Sequence, residues 1–139
     1  MSSELLNAMA ISAQGMRVQG SRIRVITENV ANADTTGDVP GADPFRRQII
    51  TFKNAMDRER DVNMVRVDRI RPDFKSDFRL QYQPDHPAAD ERGYVKMPNV
   101  NTLIELADMR EAQRSYEANL GMIEQTRTMV SRTIDLLRG

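Results

Sequence analysis

The residues that could carry chemistry are few, and they lie together in the middle of the chain. His86 is the sole histidine and stands between Asp85 and Pro87. The chain has no cysteine, which excludes thiolate metal sites, disulfides and cysteine nucleophiles. One histidine without cysteine is poor material for a transition-metal site. The nearby Asp90 and Glu91 lack the spacing of a calcium loop, so we expect a solvated loop with an exposed histidine.

Sequence motifs of common catalytic and nucleotide-binding sites are also absent. There is no glycine-rich phosphate loop, nucleophile elbow or paired-histidine helix. Carboxylates stand beside arginines, as in residues 58–61, a pattern typical of solvated faces and salt-bridged interfaces. We therefore predict a protein that is not an enzyme and that has no cofactor, no catalytic residue and no metal site.

Five arginines of the middle segment raise the alternative of a nucleic-acid surface. Acidic residues are interleaved with them, and no stacking aromatic pattern accompanies them. With 20 basic and 20 acidic residues the formal net charge is zero, so no long-range field attracts nucleic acid or anionic lipid. We expect no nucleic-acid partner. The arginines are Arg46, Arg47, Arg66, Arg69 and Arg71.

The chain also lacks the signals of membrane insertion. Residues 1–13 have neither the basic start nor the continuous apolar stretch of a secretory signal. No apolar run approaches the length that crosses a bilayer. We expect no direct membrane insertion, and any export from the cytoplasm to proceed without cleavage.

Long helices are predicted at both ends of the chain, where apolar residues recur every seven positions. A second N-terminal stripe, formed by Ile11, Val18 and Val25, lies on a different face. The last helix begins near Asn101, capped by Asn99 or Asn101 or by a Thr102–Glu105 capping box. The two main rows are Met9, Met16, Ile23 and Val30 in the first helix, and Met109, Tyr116, Ile123 and Val130 in the last.

The segment between the helices, residues 34–98, contains all six prolines and reads as loops with a small β insertion. We predict strands at Phe45–Lys53, Met64–Ile70 and Phe78–Tyr82, and a turn at Asn54–Asp61. In the third strand Leu80 and Tyr82 alternate with polar residues, which indicates a half-buried strand.

The predicted fold is mainly α, with a short hairpin-like β domain between two long helices. A compact insertion returns the chain beside its start, so the helices form an antiparallel coiled-coil pair. The predicted parts are residues 1–33, 34–98 and 99–139. The helices carry apolar residues on more faces than one pairing covers, which indicates surfaces for partners.

Three segments resemble signatures of the flagellar rod and hook protein family. Thr27–Thr35 resembles the end of the family's N-terminal helix, with its two asparagines and a following threonine. Glu111–Asn119 resembles the signature of its C-terminal helix. Gly93–Asn101 and the preceding Leu80–Arg92 are similar to the junction found in proximal rod subunits.

This resemblance implies a structural subunit of the basal-body rod, a helical tube in the periplasm that transmits torque from motor to hook. It implies export without cleavage by the flagellar type III apparatus, and partners among other rod proteins and further copies of the chain. The two main rows are then expected to form both the seam between the helices and the inner tube of the assembly interface, with Asn29, Asn32, Arg114 and Asn119 fixing their alignment by hydrogen bonds. The alternative is a soluble coiled-coil adaptor that binds a cytoplasmic partner.

Overall fold

The computed structural model of the chain describes residues 2–139 and contains two long helices and two β-hairpins. The prediction of a mainly α fold with a small β component is confirmed. At a rise of about 1.5 Å per residue, the 37-residue α2 is about 55 Å long. In chain order the elements are α1 (Ser2–Ala31), β1 (Gln48–Asp57), β2 (Val62–Pro72), β3 (Arg79–Tyr82), β4 (Tyr94–Met97) and α2 (Thr102–Arg138).

Asparagine side chains define the inner ends of both helices. At the end of α1, the Asn32 amide donates to the Glu28 carbonyl at 2.9 Å and accepts from the Thr35 hydroxyl at 3.1 Å. At the start of α2, Asn101 Oδ1 accepts the backbone N–H groups of Leu103 and Ile104, two and three residues further along, at 3.1 and 3.4 Å. The capping-box interpretation is wrong, because the Glu105 side chain bonds elsewhere.

The strands differ from the sequence prediction in several respects, the first being that β1 begins at Gln48 rather than at Phe45. β1 extends through residues 54–57, which were predicted as a turn, and the turn occupies residues 58–61. Asp57 organises this turn by accepting the N–H groups of Glu59 and Arg60 at 3.0 and 3.4 Å. The strand Tyr94–Met97 was not predicted. β3 forms where expected, but all four of its residues are exposed rather than half-buried.

The chain divides into two compact units. The first contains residues up to Ile23, Thr51–Arg69 and Arg110–Gly139. In this unit Val18 of α1 and Met64 of β2 are buried. Gly15 of α1 lies against Asn119 of α2, and seven residues further along, Arg22 pairs with Glu111 at 3.4 Å. Because the α2 positions decrease as the α1 positions increase, the two helices run antiparallel here.

The second unit contains Arg24–Ile50 and Ile70–Met109. Its apolar core is built from Ala88, Val95 and Met97, with Ala89 packed against them. β4 supplies two of these side chains because its alternate residues point to one face of the sheet. Val25, Ile26 and Val100 are also buried in this unit.

Candidate assembly interface

The contact between the helices in the first unit includes a close approach of a small residue and a polar residue. A Cβ atom at Gly15 would lie 2.8 Å from Asn119 Nδ2, so only glycine leaves room for this amide. The Asn119 amide also donates to the Ser115 carbonyl at 2.9 Å, which fixes its orientation. At this point the helices therefore meet through a glycine and an amide rather than through apolar side chains.

Burial along α2 follows a row of small and polar residues. The row is here named the Glu105 row, and its members recur every seven positions: Glu105, Ala112, Asn119 and Thr126. Glu105 is 1 % exposed, Ala112 is fully buried and Thr126 is 4 % exposed, while Asn119 is half-buried. The predicted apolar row that starts at Met109 lies on the neighbouring face of the helix, four residues further along.

Most side chains of the two predicted apolar rows are neither fully buried nor fully exposed. All four members of the α1 row are half-buried, and so are three of the α2 row, whereas Tyr116 is exposed. In the first unit Tyr116 lines a shallow groove with Met16 and Gly20. The α1 members are Met9, Met16, Ile23 and Val30, and the half-buried α2 members are Met109, Ile123 and Val130. Their part in assembly stays a prediction.

The second N-terminal stripe contains the most buried apolar side chains of α1. Val18 and Val25 are buried, whereas Ile11 at the start of the stripe is exposed. The intramolecular packing of α1 therefore draws more on this stripe than on the Met9 row.

A buried polar network connects α1, β1 and α2 within the second unit. Asn29 is 1 % exposed, and its amide makes a reciprocal pair with the backbone of Gln48: Nδ2 donates to the carbonyl at 2.9 Å and Oδ1 accepts the N–H at 2.8 Å. Nδ2 also lies 3.4 Å from Glu105 Oε2. The other Glu105 oxygen accepts from Nε of Arg47. Asn29 at the end of α1 and Arg47 before β1 thus share the Glu105 carboxylate at the start of α2.

Asp73 and Asn99 extend this network to the strand ends. The Asp73 carboxylate lies 3.7 Å from Arg47 Nη1. Asn99 Oδ1 accepts the Arg47 N–H at 2.7 Å, and Asn99 Nδ2 donates to the carbonyls of Asp73 and Ser76, each at 3.1 Å. Asn99 was predicted as a possible cap of α2, but the structure uses it to join two loops.

The ionised form of Asp73 is favoured by its surroundings. Burial raises the pKa of this carboxyl, but hydrogen bonds from Ser76 and Lys75 and the charge of Arg47 outweigh burial and lower the pKa below 3.8. The carboxylate accepts the backbone N–H groups of Lys75 and Ser76 at 2.9 and 3.1 Å. Asp73 therefore stays charged opposite the arginine over the ordinary pH range.

The four polar residues predicted to fix alignment have different environments. Asn29 connects elements distant in sequence, whereas Asn32 bonds only locally at the end of α1. Asn119 fills the space beside Gly15. Arg114 is exposed on α2. Of the four, Asn29 hydrogen-bonds to another element, and Asn119 lies against another element at Gly15.

The exposed apolar surface of the helices is largest on α2. Leu136 and Leu137 in its last turns are 83 % and 84 % exposed, and Leu103 in its first turn is 80 % exposed. Several other large apolar side chains on α2 are at least 39 % exposed: Ile104, Leu106, Leu120, Met122, Met129 and Ile134. Surface of this extent is typical of a protein that binds others.

The structure places the candidate chemical residues in structural roles. His86 was predicted to be exposed but is half-buried, because Nδ1 accepts the Ala88 N–H at 3.0 Å and Nε2 lies 3.2 Å from the Thr36 hydroxyl. Among residues 2–139, no group of three or more histidine and carboxylate side chains is arranged to hold a metal ion. Within the same residues, no helix combines the length and hydrophobicity of a membrane span.

Two arginines considered for nucleic acid are engaged within the second unit. The Arg46 guanidinium stacks over the rings of Phe74 and Phe78, at 4.8 and 4.2 Å from their centroids. Its Nη1 donates to the Asp73 carbonyl at 3.1 Å, and Arg47 belongs to the buried network.

The chain's C-terminal helix connects it to a known class of proteins. Residues 91–136 match the family model for the C-terminal part of the flagellar basal body rod proteins FlgEFG. This match covers most of α2 and the strand and loop before it. The class is that of the rod proteins of the flagellar basal body, as the three sequence signatures had indicated.

Matches over nearly the whole length identify the family within this class. The chain is 53 % identical over 131 residues to the flagellar basal-body rod protein FlgC of Agrobacterium fabrum, covering 94 % of each chain. FlgC of Yersinia enterocolitica is 37 % identical, covering 95 % of this chain and 97 % of the relative. FlgC of Aquifex aeolicus is 36 % identical, covering 95 % and 96 %. The chain belongs to the FlgC family of flagellar basal-body rod proteins.

Proposed function

We propose that the chain is a structural subunit of the flagellar basal-body rod, located in the basal body, and that it polymerises into a helical tube that transmits torque to the hook. Membership of the FlgC family is the single observation that carries this proposal. The exposed apolar surface of α2 supports it, since a polymerising subunit needs surface that its neighbours cover. Its partners are other rod proteins and further copies of itself.

Within the subunit, α1 and α2 form an antiparallel coiled-coil pair in which different residues serve the contact inside the pair and the contacts with neighbouring subunits. The contacts inside the pair use small and polar side chains, as at Gly15 with Asn119 and at Asn29 with Glu105. We infer that the part of each apolar row that stays exposed contacts neighbouring subunits. The members of the two apolar rows are half-buried or exposed, so neighbouring subunits can reach them, whereas the predicted interface residue Asn29 is buried inside the subunit.

Assembly, rather than catalysis, is the proposed activity, and the chain reaches the rod through the flagellar export apparatus without cleavage. A bacterial strain that lacks its own copy of this protein, and that is complemented with the tagged chain, tests both statements. The full-length chain is expected in purified basal bodies, where its absence would refute the proposal. Retention of the whole pool in the cytoplasm, bound to a soluble protein, would instead support the adaptor alternative.

A further inference from the structure

The strand β3 presents its apolar side chains away from the core. In the β3–β4 register Arg79 lies opposite Met97 and Gln81 opposite Val95, so the polar residues of β3 share the face of the buried side chains. Leu80 and Tyr82 point to the other face and are 66 % and 63 % exposed. The alternation suits a half-buried strand, yet this chain leaves its apolar side in solvent.

The backbone of β3 also has an open edge. Gln83 N donates to the Gly93 carbonyl at 2.9 Å, which marks a hydrogen-bonded pair of this antiparallel ladder. Such pairs alternate with non-hydrogen-bonded pairs along the strands. The N–H and C=O groups of Leu80 and Tyr82 therefore point away from β4.

The two edges of this sheet are treated differently. At the outer edge of β4, Asp90 N donates to the Tyr94 carbonyl, and Tyr94 N donates to Asp90 Oδ1, both at 2.9 Å. β3 and β4 form a two-stranded sheet, so within residues 2–139 no strand pairs with the outer edge of β3. Proteins commonly block the exposed edges of their sheets, because an open edge pairs readily with the strands of other chains. One edge here is closed by Asp90 and the other is open.

We propose that the outer edge of β3 receives an extended segment of a neighbouring rod subunit as a third strand. Free backbone donors and acceptors at Leu80 and Tyr82 select an extended backbone, whereas a helix has already used its own. Apolar side chains at alternate positions of this segment pack beside Leu80 and Tyr82 on the exposed face. The inference rests on the proposed function, which supplies the neighbouring subunit.

The exposed face is organised before any partner arrives. The rings of Tyr82 and Tyr94 are in edge-to-face contact, with centroids 5.3 Å apart. Cross-strand aromatic pairs of this kind hold their side chains in place, so little side-chain freedom is lost on binding. The face thus has the properties of an interface anchor rather than of a solvated loop.

Two substitutions at Leu80 distinguish the addition of a third strand from a partner that only covers the apolar side chains. Leu80→Pro removes the outward N–H but leaves the β3–β4 ladder bonds, while Leu80→Ser keeps the N–H and removes the apolar side chain. We expect each to reduce the amount of chain in purified basal bodies about tenfold, as the loss of one or two interface contacts would. Val39→Ser, at an exposed apolar residue elsewhere, is the control and should assemble at the wild-type level.

The outcomes distinguish this inference from the function on which it rests. If the wild-type chain is absent from basal bodies, the proposed function fails. If the wild type and Leu80→Pro assemble equally, strand addition is refuted even when Leu80→Ser is impaired. A benzophenone amino acid at Tyr82 gives a check that does not depend on variant folding. It should crosslink to a neighbouring subunit in assembled rods, and no crosslink to any protein would also overturn the inference.

Discussion

Replacing Glu105 by methionine removes the carboxylate shared by Arg47 and Asn29. Removing one partner of a buried ion pair costs about 3–5 kcal/mol, because the other charge stays buried. The Arg47 side chain is 26 % exposed and keeps the Asp73 carboxylate at 3.7 Å, so we expect the lower end, about 3 kcal/mol of unfolding free energy. Urea denaturation followed by circular dichroism at 222 nm measures this loss.

A double-mutant cycle tests whether the loss comes from the pair itself. Arg47→Met should also destabilise, because it leaves the Glu105 carboxylate, 1 % exposed, beside the Asn29 amide. If the two groups act together, the double variant loses less than the sum of the single losses, with a coupling energy of about 1.5 kcal/mol or more. Additivity within about 0.5 kcal/mol would refute the reasoning. The exposed pair Lys53–Asp68, at 3.6 Å, is the control and should couple by less than about 1 kcal/mol.

Three further predictions concern the helix contact, pH and assembly. Gly15→Ala gains helix propensity but displaces the Asn119 amide. It should therefore raise the free energy of unfolding, by up to about 1 kcal/mol, only in a chain that also carries Asn119→Ala, as measured by urea unfolding. Equal effects with and without Asn119→Ala would contradict the contact. Because the pKa of Asp73 is lowered in the folded chain, its contribution to stability is present above the unfolded pKa and is lost as pH falls through the folded value. Asp73→Asn should therefore make the free energy of unfolding depend less on pH below about pH 4. An unchanged dependence on pH in that range would argue against this. Ile123→Asp places a charge on the predicted interface and should abolish incorporation into basal bodies. Thr128→Asp, at an exposed position on the face of α2 opposite the Glu105 row, is the control and should assemble. Normal swimming by the Ile123 variant would refute the interface assignment.

The helices could be predicted from sequence because their signal is local. Seven-residue spacing of apolar side chains depends only on helix geometry, and both helices form within two residues of the expected ends. The N-terminal boundary of α2 was also predicted, although Asn101 alone caps it. The unpredicted β4 had a weaker signal, since alternating Val95 and Met97 within four residues also fits a loop.

The buried network could not be predicted, because it depends on which distant segments meet. Glu105 has the spacing of a capping box, and nothing local shows that its carboxylate turns toward Arg47. A usable signal was present in the Glu105 row: polar or small residues recur every seven positions beside the apolar row. Small or polar residues at such a spacing indicate one face of a helix that approaches its neighbour closely.

His86 illustrates a second limit. An exposed histidine was the natural expectation for a loop between Asp85 and Pro87, since short polar loops are usually solvated. The loop instead folds back so that Thr36, fifty residues earlier, reaches Nε2. Long-range contacts of this kind leave no pattern in the local sequence.

The central claim, that neighbouring subunits cover the apolar surface of α2, is tested most directly by cysteine accessibility. The chain has no native cysteine, so Leu136→Cys introduces one thiol at a side chain that is 83 % exposed. Maleimide labelling of this variant should be rapid in the free chain and at least about tenfold slower in purified basal bodies, with the rapid rate restored when the rods are dissociated. Equal labelling rates in the free chain and in intact basal bodies would contradict the account.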